Sequence, residues 1–167
     1  MSTLLAVTRT ADATFALATR VGALLRGGDV LALSGDLGAG KTVFAKGVGR
    51  ALGVVEPVVS PTFTVVREYE GTIRFVHVDV YRLDRIQELH DVGWDDLLDG
   101  ESVALVEWGE RVGALLPIDR LDVRLEVGDD DERRMVEFVA SGASWAARAD
   151  ALAAALGDDR WRDGGEA

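Results

Sequence analysis

Gly35, Gly40, Lys41 and Thr42, within "SGDLGAGKTVF", have the types and spacing to bind phosphate. They satisfy G-x-x-x-x-G-K-[ST], a loop that curls around a phosphate chain. Glycines let the backbone turn so that successive N–H groups point inward at anionic oxygens. A helix starting near Lys41 adds its positive N-terminal end. The Lys41 ammonium then reaches the β- and γ-phosphates, and the Thr42 hydroxyl can ligate Mg2+. Gly35, Asp36, Leu37, Gly38, Ala39, Gly40, Lys41 and Thr42 are accordingly candidate cofactor-binding positions. A glycine-rich turn that only caps a helix would give the glycines without the lysine. Lys41 and Lys46 are the only lysines among 167 residues, so chance seldom places one here. Lys41 is expected at the surface of an empty site.

Such a loop needs a carboxylate at a strand's C-terminal end to hold the metal. Asp79 ends "RFVHV" and Glu107 ends "VALV", and the pattern does not rank them. Lys41, Asp79 and Glu107 form the candidate catalytic set, one acid orienting water. Thr42, Glu107 and Asp79 are the candidate Mg2+ ligands. His77 lies two residues before Asp79, on the same face of a strand. It reads as a core or supporting histidine rather than a base. His90 is the other histidine. Guanine readers carry N-K-x-D and D-x-x-G; this chain has no asparagine and no D-x-x-G, which favours ATP. No arginine finger is evident. Arg133, in the arginine-dense "DDDERR", joins the candidate cofactor-binding positions, although that stretch reads as a hairpin turn.

Elements must position these groups. "ADATFALATRVGALLRGG" predicts a helix over 12–25, ended by Gly27 and Gly28. "DVLALS" predicts a buried strand over 29–34. A helix follows from Lys41 to Gly53, with Phe44, Val48 and Leu52 at helical spacing. The prolines of "EPVVSPTFTVVREYE" forbid a helix at its start, and a strand follows. "TIRFVHVDVY" and "SVALVEW" read as strands, and "RIQELHDVGWDDLL" as a short helix between them. "LDVRLEV" and "RRMVEFV" alternate around "GDDDE", a hairpin. "SWAARADALAAALG" predicts one last helix. The sum is an α/β fold, a three-layer sandwich of P-loop NTPase type on a mixed, partly parallel sheet. Residues 1–157 form one expected domain, and 158–167 an expected disordered tail.

Composition limits the function classes. Net charge is −11, and the arginines are scattered, unlike the basic patch of a nucleic-acid binder. Independent tRNA or DNA binding is therefore not expected, whereas an acidic surface suits a basic protein partner. There is no cysteine, hence no disulfide and no thiolate chemistry. No apolar run approaches a membrane span, and the N-terminus shows no signal-peptide pattern. A cytoplasmic protein is expected.

"LSGDLGAGKTVFAKGVGRALG", "VVSPTFTVVREY", "HVDVYRL", "VALVEWGERV" and "LLP", in that order, resemble the TsaE (YjeE) family of small bacterial ATPases. That family is needed to make threonylcarbamoyladenosine in tRNA. The resemblance spans about residues 8–127. It implies ATP and Mg2+ at the loop and slow hydrolysis by the chain alone. It also implies action with the TsaD and TsaB proteins. "SPTFT" is similar to the family's switch-like loop, so Thr62 and Thr64 become candidate γ-phosphate sensors. Glu107 resembles the family's Mg2+ ligand, Asp79 its second acid, and Trp108 the adjoining tryptophan. Ala11 to Thr14 resembles the stretch near adenine, which adds Ala11 and Thr14 to the cofactor-binding candidates. Phe63 and Val65 stand where the family often has tyrosine and leucine. A small-molecule or nucleoside kinase is the alternative, and a nucleotide-dependent scaffold a third class.

Overall fold

The computed structural model describes residues 1–82, 93–130 and 132–161. Seven strands form one sheet: β1 (Ser2–Thr8), β2 (Val30–Ser34), β3 (Val66–Tyr69), β4 (Phe75–Asp79), β5 (Val103–Glu107), β6 (Arg120–Val127) and β7 (Arg134–Ser141). Their order is β1-β7-β6-β2-β5-β4-β3. The continuous apolar runs became the parallel strands β2, β4 and β5, as expected for strands covered on both faces. The alternating runs became the antiparallel hairpin β6–β7. β2 lies between β5 and β6, parallel to both.

Two layers cover the sheet. Leu31, Leu33 and Leu105 face a core built with Leu17, Phe44 and Val48 of helices α1 (Ala11–Gly22) and α2 (Lys41–Ala51). Ala32, Val78 and Val106 face a smaller core with Trp94, Leu97, Val112 and Leu116. Trp94 and Leu97 lie on α3 (Trp94–Leu97), the described end of the helix expected over 85–98. The rest of that expectation, and His90, lie outside the described residues.

Local chemistry explains the ends. Thr10 caps α1 by accepting a hydrogen bond from the Ala13 N–H at 3.0 Å. The helix stops three residues short of the expected end, in a turn closed by Leu24 and Leu25 N–H bonds to Val21 and Gly22. α1 and α2 cross closely at Gly47, where a Cβ would stand 2.5 Å from the Phe15 carbonyl oxygen.

Three expectations change. β1 was not expected, because a half-buried edge strand shows neither a full apolar run nor clean alternation. It pairs with β7 from Ser2 opposite Ala140 to Thr8 opposite Arg134. The single last helix is two: α4 (Gly142–Ala146) and α5 (Ala149–Leu156). The break falls where the Arg148 guanidinium turns inward to Asp29, at 2.6 and 2.7 Å. Residues 158–161 are not frayed. The Trp161 N–H donates to the Leu5 carbonyl at 2.8 Å, and Asp159 pairs with Arg20, since the edge strand offers unpaired backbone.

Candidate active site

The glycine loop joins β2 to α2 at the C-terminal edge of the parallel strands, where α/β sheets bind ligands. Gly40 precedes α2 at φ +105°, a region that favours glycine, and no side chain caps the first turn. A helix end of this kind can accept an anion. Lys41 is not at the surface: it is 6% exposed. Its Nζ donates to the Gly35 carbonyl at 2.6 Å and the Asp36 carbonyl at 2.9 Å. It also lies 4.1 Å from the centre of the Trp108 ring. Burial pulls the ammonium below its ordinary 10.5, while Glu107, Glu110, Asp79 and Asp36 pull it back up. This is a partly desolvated cation, close to carboxylates and facing a cleft.

Asp79 and Glu107 stand directly opposite each other at the ends of β4 and β5. Both are buried but held differently. Asp79 accepts from the Thr62 hydroxyl at 3.0 Å and the Tyr81 N–H at 2.9 Å. Glu107 lies 2.8 Å from Nε2 of His77, which is fully buried and stacked on Phe75. A carboxylate accepts, so Nε2 carries the hydrogen. Nδ1 of His77 has no partner among the described residues. His77 thus supports Glu107 within the core.

A cleft of about 580 Å³ brings Lys41, Thr42, Thr62, Asp79, Glu107 and Trp108 together, with Leu37, Gly38 and Gly40 on its wall. A side cavity of about 200 Å³ adjoins the loop and is lined by Ala11, Thr14, Gly38, Gly40, Glu132 and Arg134. Gly35 and Asp36 contribute carbonyls to Lys41, and Ala39 packs into the core. Thr64 is exposed and does not line the cleft; its N–H closes a turn onto the Pro61 carbonyl. Arg133 also stands apart. Its N–H is taken by Asp130 at 2.6 Å and its guanidinium lies 3.8 Å from Asp129. Neighbouring residues of an extended chain point opposite ways, and it is Arg134 that reaches the loop. Arg134 donates to the carbonyls of Ala39 at 3.0 Å and Gly38 at 3.3 Å. Arg82 and Tyr81 also line the cleft, and neither was singled out in the sequence. Their position after Asp79, at a strand's C-terminal end, was the available signal.

Val65 and Trp108 are the described non-glycine residues with positive φ, at +65° and +61°. A β-branched residue there is a true outlier, and such strain gathers at functional sites. Val65 is fixed by its N–H to the Pro61 carbonyl at 2.7 Å, and its carbonyl accepts from the Asp79 N–H at 2.8 Å. The Ser60–Thr64 turn is thereby tied to Asp79 through both backbone and side chain.

A family model described as "Threonylcarbamoyl adenosine biosynthesis protein TsaE" matches residues 8–136. The chain belongs to the TsaE family. Similar relatives carry the name tRNA threonylcarbamoyladenosine biosynthesis protein TsaE. The one from Bacillus subtilis (strain 168) is 43% identical over 132 residues, 78% of this chain and 82% of the relative. The one from Treponema pallidum is 41% identical over 77% of this chain and 96% of its own length. The crystal structure of Bacillus subtilis YdiB superposes with a TM-score of 0.79 at 35% identity, covering 92% of this chain and 95% of that one. The fold is that of a P-loop NTPase, and as a TsaE the chain is of a family of tRNA threonylcarbamoyladenosine biosynthesis.

Proposed function

We propose that this TsaE binds ATP with Mg2+ at the Gly35–Thr42 loop and hydrolyses it, acting with TsaD and TsaB in cytoplasmic threonylcarbamoylation of tRNA. One observation carries the reading. An uncapped helix end, a part-desolvated lysine and two buried carboxylates converge on one cleft. That set suits a nucleoside triphosphate and one metal ion.

The residues fit Mg2+. Among the described residues no three carboxylate or imidazole groups gather into a protein-only metal cage. Mg2+ needs none, since it is commonly held by one or two protein oxygens plus phosphate and water. Thr42 and Glu107 would hold it, with Asp79 beside them. When bound, it neutralises charge on the β- and γ-phosphates. The chain's own groups do the rest. Loop N–H groups bind phosphate oxygens, and Lys41 exchanges two carbonyls for phosphate. His77 keeps Glu107 in one orientation. Asp79, bridged to Thr62, orients the attacking water and reports its position to the Ser60–Thr64 turn. The side cavity at Ala11 and Thr14 suits adenine in size and position.

A steady-state ATPase assay tests this with the chain alone, with tRNA, with TsaD and TsaB, and with all together. Hydrolysis is expected to rise with the two proteins and not with tRNA alone. No ATP binding by the chain would overturn the nucleotide reading. Binding without any response to the proteins would overturn the partner reading.

A further inference from the structure

We propose that Arg82 is the arginine that stabilises charge on the transferred γ-phosphoryl group, supplied by the chain itself; this rests on the ATP-hydrolysis reading above and names a further catalytic residue for it. Arg82 lines the same cleft as Lys41, Thr42, Thr62, Asp79 and Glu107. Its place follows from the candidate acids. β4 ends at Asp79, whose carboxylate takes the Tyr81 N–H at 2.9 Å, while the Val80 N–H donates to the Glu107 carbonyl at 3.3 Å. The turn that presents Arg82 is thus fixed by the residues that frame the phosphate cleft.

The guanidinium is held by a weak contact. Its carbon lies 4.5 Å from the centre of the Phe63 ring, and Phe63 is 84% exposed on the Ser60–Thr64 turn. A cation–π contact at an exposed site is weaker than a forked pair with phosphate oxygens. A γ-phosphate entering the cleft would draw Arg82 off the ring, and Phe63 would be released with it. Two other arginines nearby are committed elsewhere. Arg134 holds the outside of the loop through the Ala39 and Gly38 carbonyls, and Arg111 donates to the Tyr81 carbonyl.

In the reaction, a water oxygen bonds to the γ-phosphorus. The bond from that phosphorus to the β–γ bridging oxygen breaks, and its electron pair stays on the oxygen of ADP. Phosphate is the other product, and one water proton passes to solvent. Charge gathers on the γ-phosphoryl oxygens and the bridging oxygen during transfer, where an arginine acts.

The test is calorimetric binding of ADP·Mg2+ with and without aluminium fluoride, which mimics the phosphoryl group in flight, together with steady-state hydrolysis. Wild type, Arg82→Ala and Arg82→Lys are compared. Arg82→Ala should keep ADP affinity within about threefold, lose the tightening by aluminium fluoride, and lower kcat by about 10²-fold or more with little change in KM. Arg82→Lys should fall between, and millimolar guanidinium should restore part of the Arg82→Ala rate. Because Arg82 is exposed, its thermal midpoint should match wild type. Full tightening and wild-type kcat in Arg82→Ala would overturn the assignment while leaving the ATPase reading intact. An equal loss of ADP affinity and aluminium fluoride binding would also overturn it, showing uniform binding. A wild type that binds ATP but neither hydrolyses it nor tightens on aluminium fluoride would overturn both.

Discussion

Lys41 is bonded to two loop carbonyls beside the cleft, and a buried ammonium so placed can exchange them for phosphate oxygens. Hydrogen bonds to charged groups contribute about 1.5–3 kcal/mol each. Losing two to phosphate in Lys41→Ala should weaken ATP·Mg2+ binding by about 100-fold or more, read by calorimetry. Unchanged affinity would remove the loop from the proposed site. The two acids should separate in their failures. Glu107→Ala leaves His77 buried with neither ring nitrogen partnered, an orphaning that costs about 1–3 kcal/mol. It should lower the unfolding midpoint and blunt the Mg2+ dependence of ATP affinity. Asp79→Ala removes the acceptor of the Tyr81 N–H and one partner of the Thr62 hydroxyl, which keeps its bond to Ser60 at 2.7 Å. It should leave binding closer to normal and slow hydrolysis. ATP titrations with and without Mg2+, plus urea denaturation, distinguish them; identical behaviour would reject the division of roles. The loop and both acids were legible in the sequence because their chemistry is fixed by residue type and spacing. Arg82 and Arg134 were not, since arginine recurs throughout the chain and only the three-dimensional turns select which one lines the cleft and which one meets the loop.

Each element is kept in place by a few close contacts that substitution can test. At Gly47 a helix-favouring alanine would gain about 1 kcal/mol of propensity. The new Cβ would, however, lie 2.5 Å from the Phe15 carbonyl oxygen and 2.6 Å from the Ala18 Cβ. Overpacking typically costs about 1–3 kcal/mol, and backbone yields poorly, so Gly47→Ala should destabilise. An unchanged urea midpoint would show that α1 and α2 can part without cost. At the start of β5 the Asp99 carboxylate accepts the N–H groups of Glu101 and Ser102, both at 2.8 Å. Those bonds, with Arg74 as a smaller contributor, hold its pKa below the ordinary 3.8. A carboxyl depressed in the folded state stabilises above its unfolded pKa, and that stability is lost as pH falls through the folded value. Asp99→Ala should therefore melt lower than wild type at pH 7, with the gap narrowing below pH 3.8; a gap independent of pH would contradict it. The parallel strands and the hairpin could be foreseen from periodicity. β1 could not, because its partner residues on β7 lie 126 (Thr8 to Arg134) to 138 (Ser2 to Ala140) positions away and its own pattern is mixed. The split in the last helix was hidden as well, since it answers long-range bonds from one side chain, Arg148, to Asp29 and the Leu24 carbonyl.

For the whole molecule, charge decides what can approach. A net charge of −11 repels nucleic-acid phosphates at a distance, though a local basic patch can override the total. Among the described residues, part of the basic charge is paired with acid. Arg20, Arg74, Arg120, Arg124, Arg133 and Arg148 each sit within 4 Å of a carboxylate. These six arginines, a third of the 18 basic residues, are neutralised locally and lie on α1, on β6, just before β4 and β7, and between α4 and α5. Lys41 is buried in the cleft, and Arg134 is turned onto the loop. A basic protein without sequence preference binds DNA with a dissociation constant of about 10⁻⁴–10⁻⁶ M at physiological salt, and the contact weakens steeply as salt rises. This chain should fall outside even that range. Fluorescence anisotropy of labelled tRNA should stay flat up to about 10 μM protein, at 50 mM as at 200 mM salt. A rise at 50 mM that vanishes at 200 mM would reveal a phosphate-binding face that the six ion pairs do not neutralise. A flat response leaves tRNA to be carried by a partner protein, and makes the acidic surface the side that a basic partner meets.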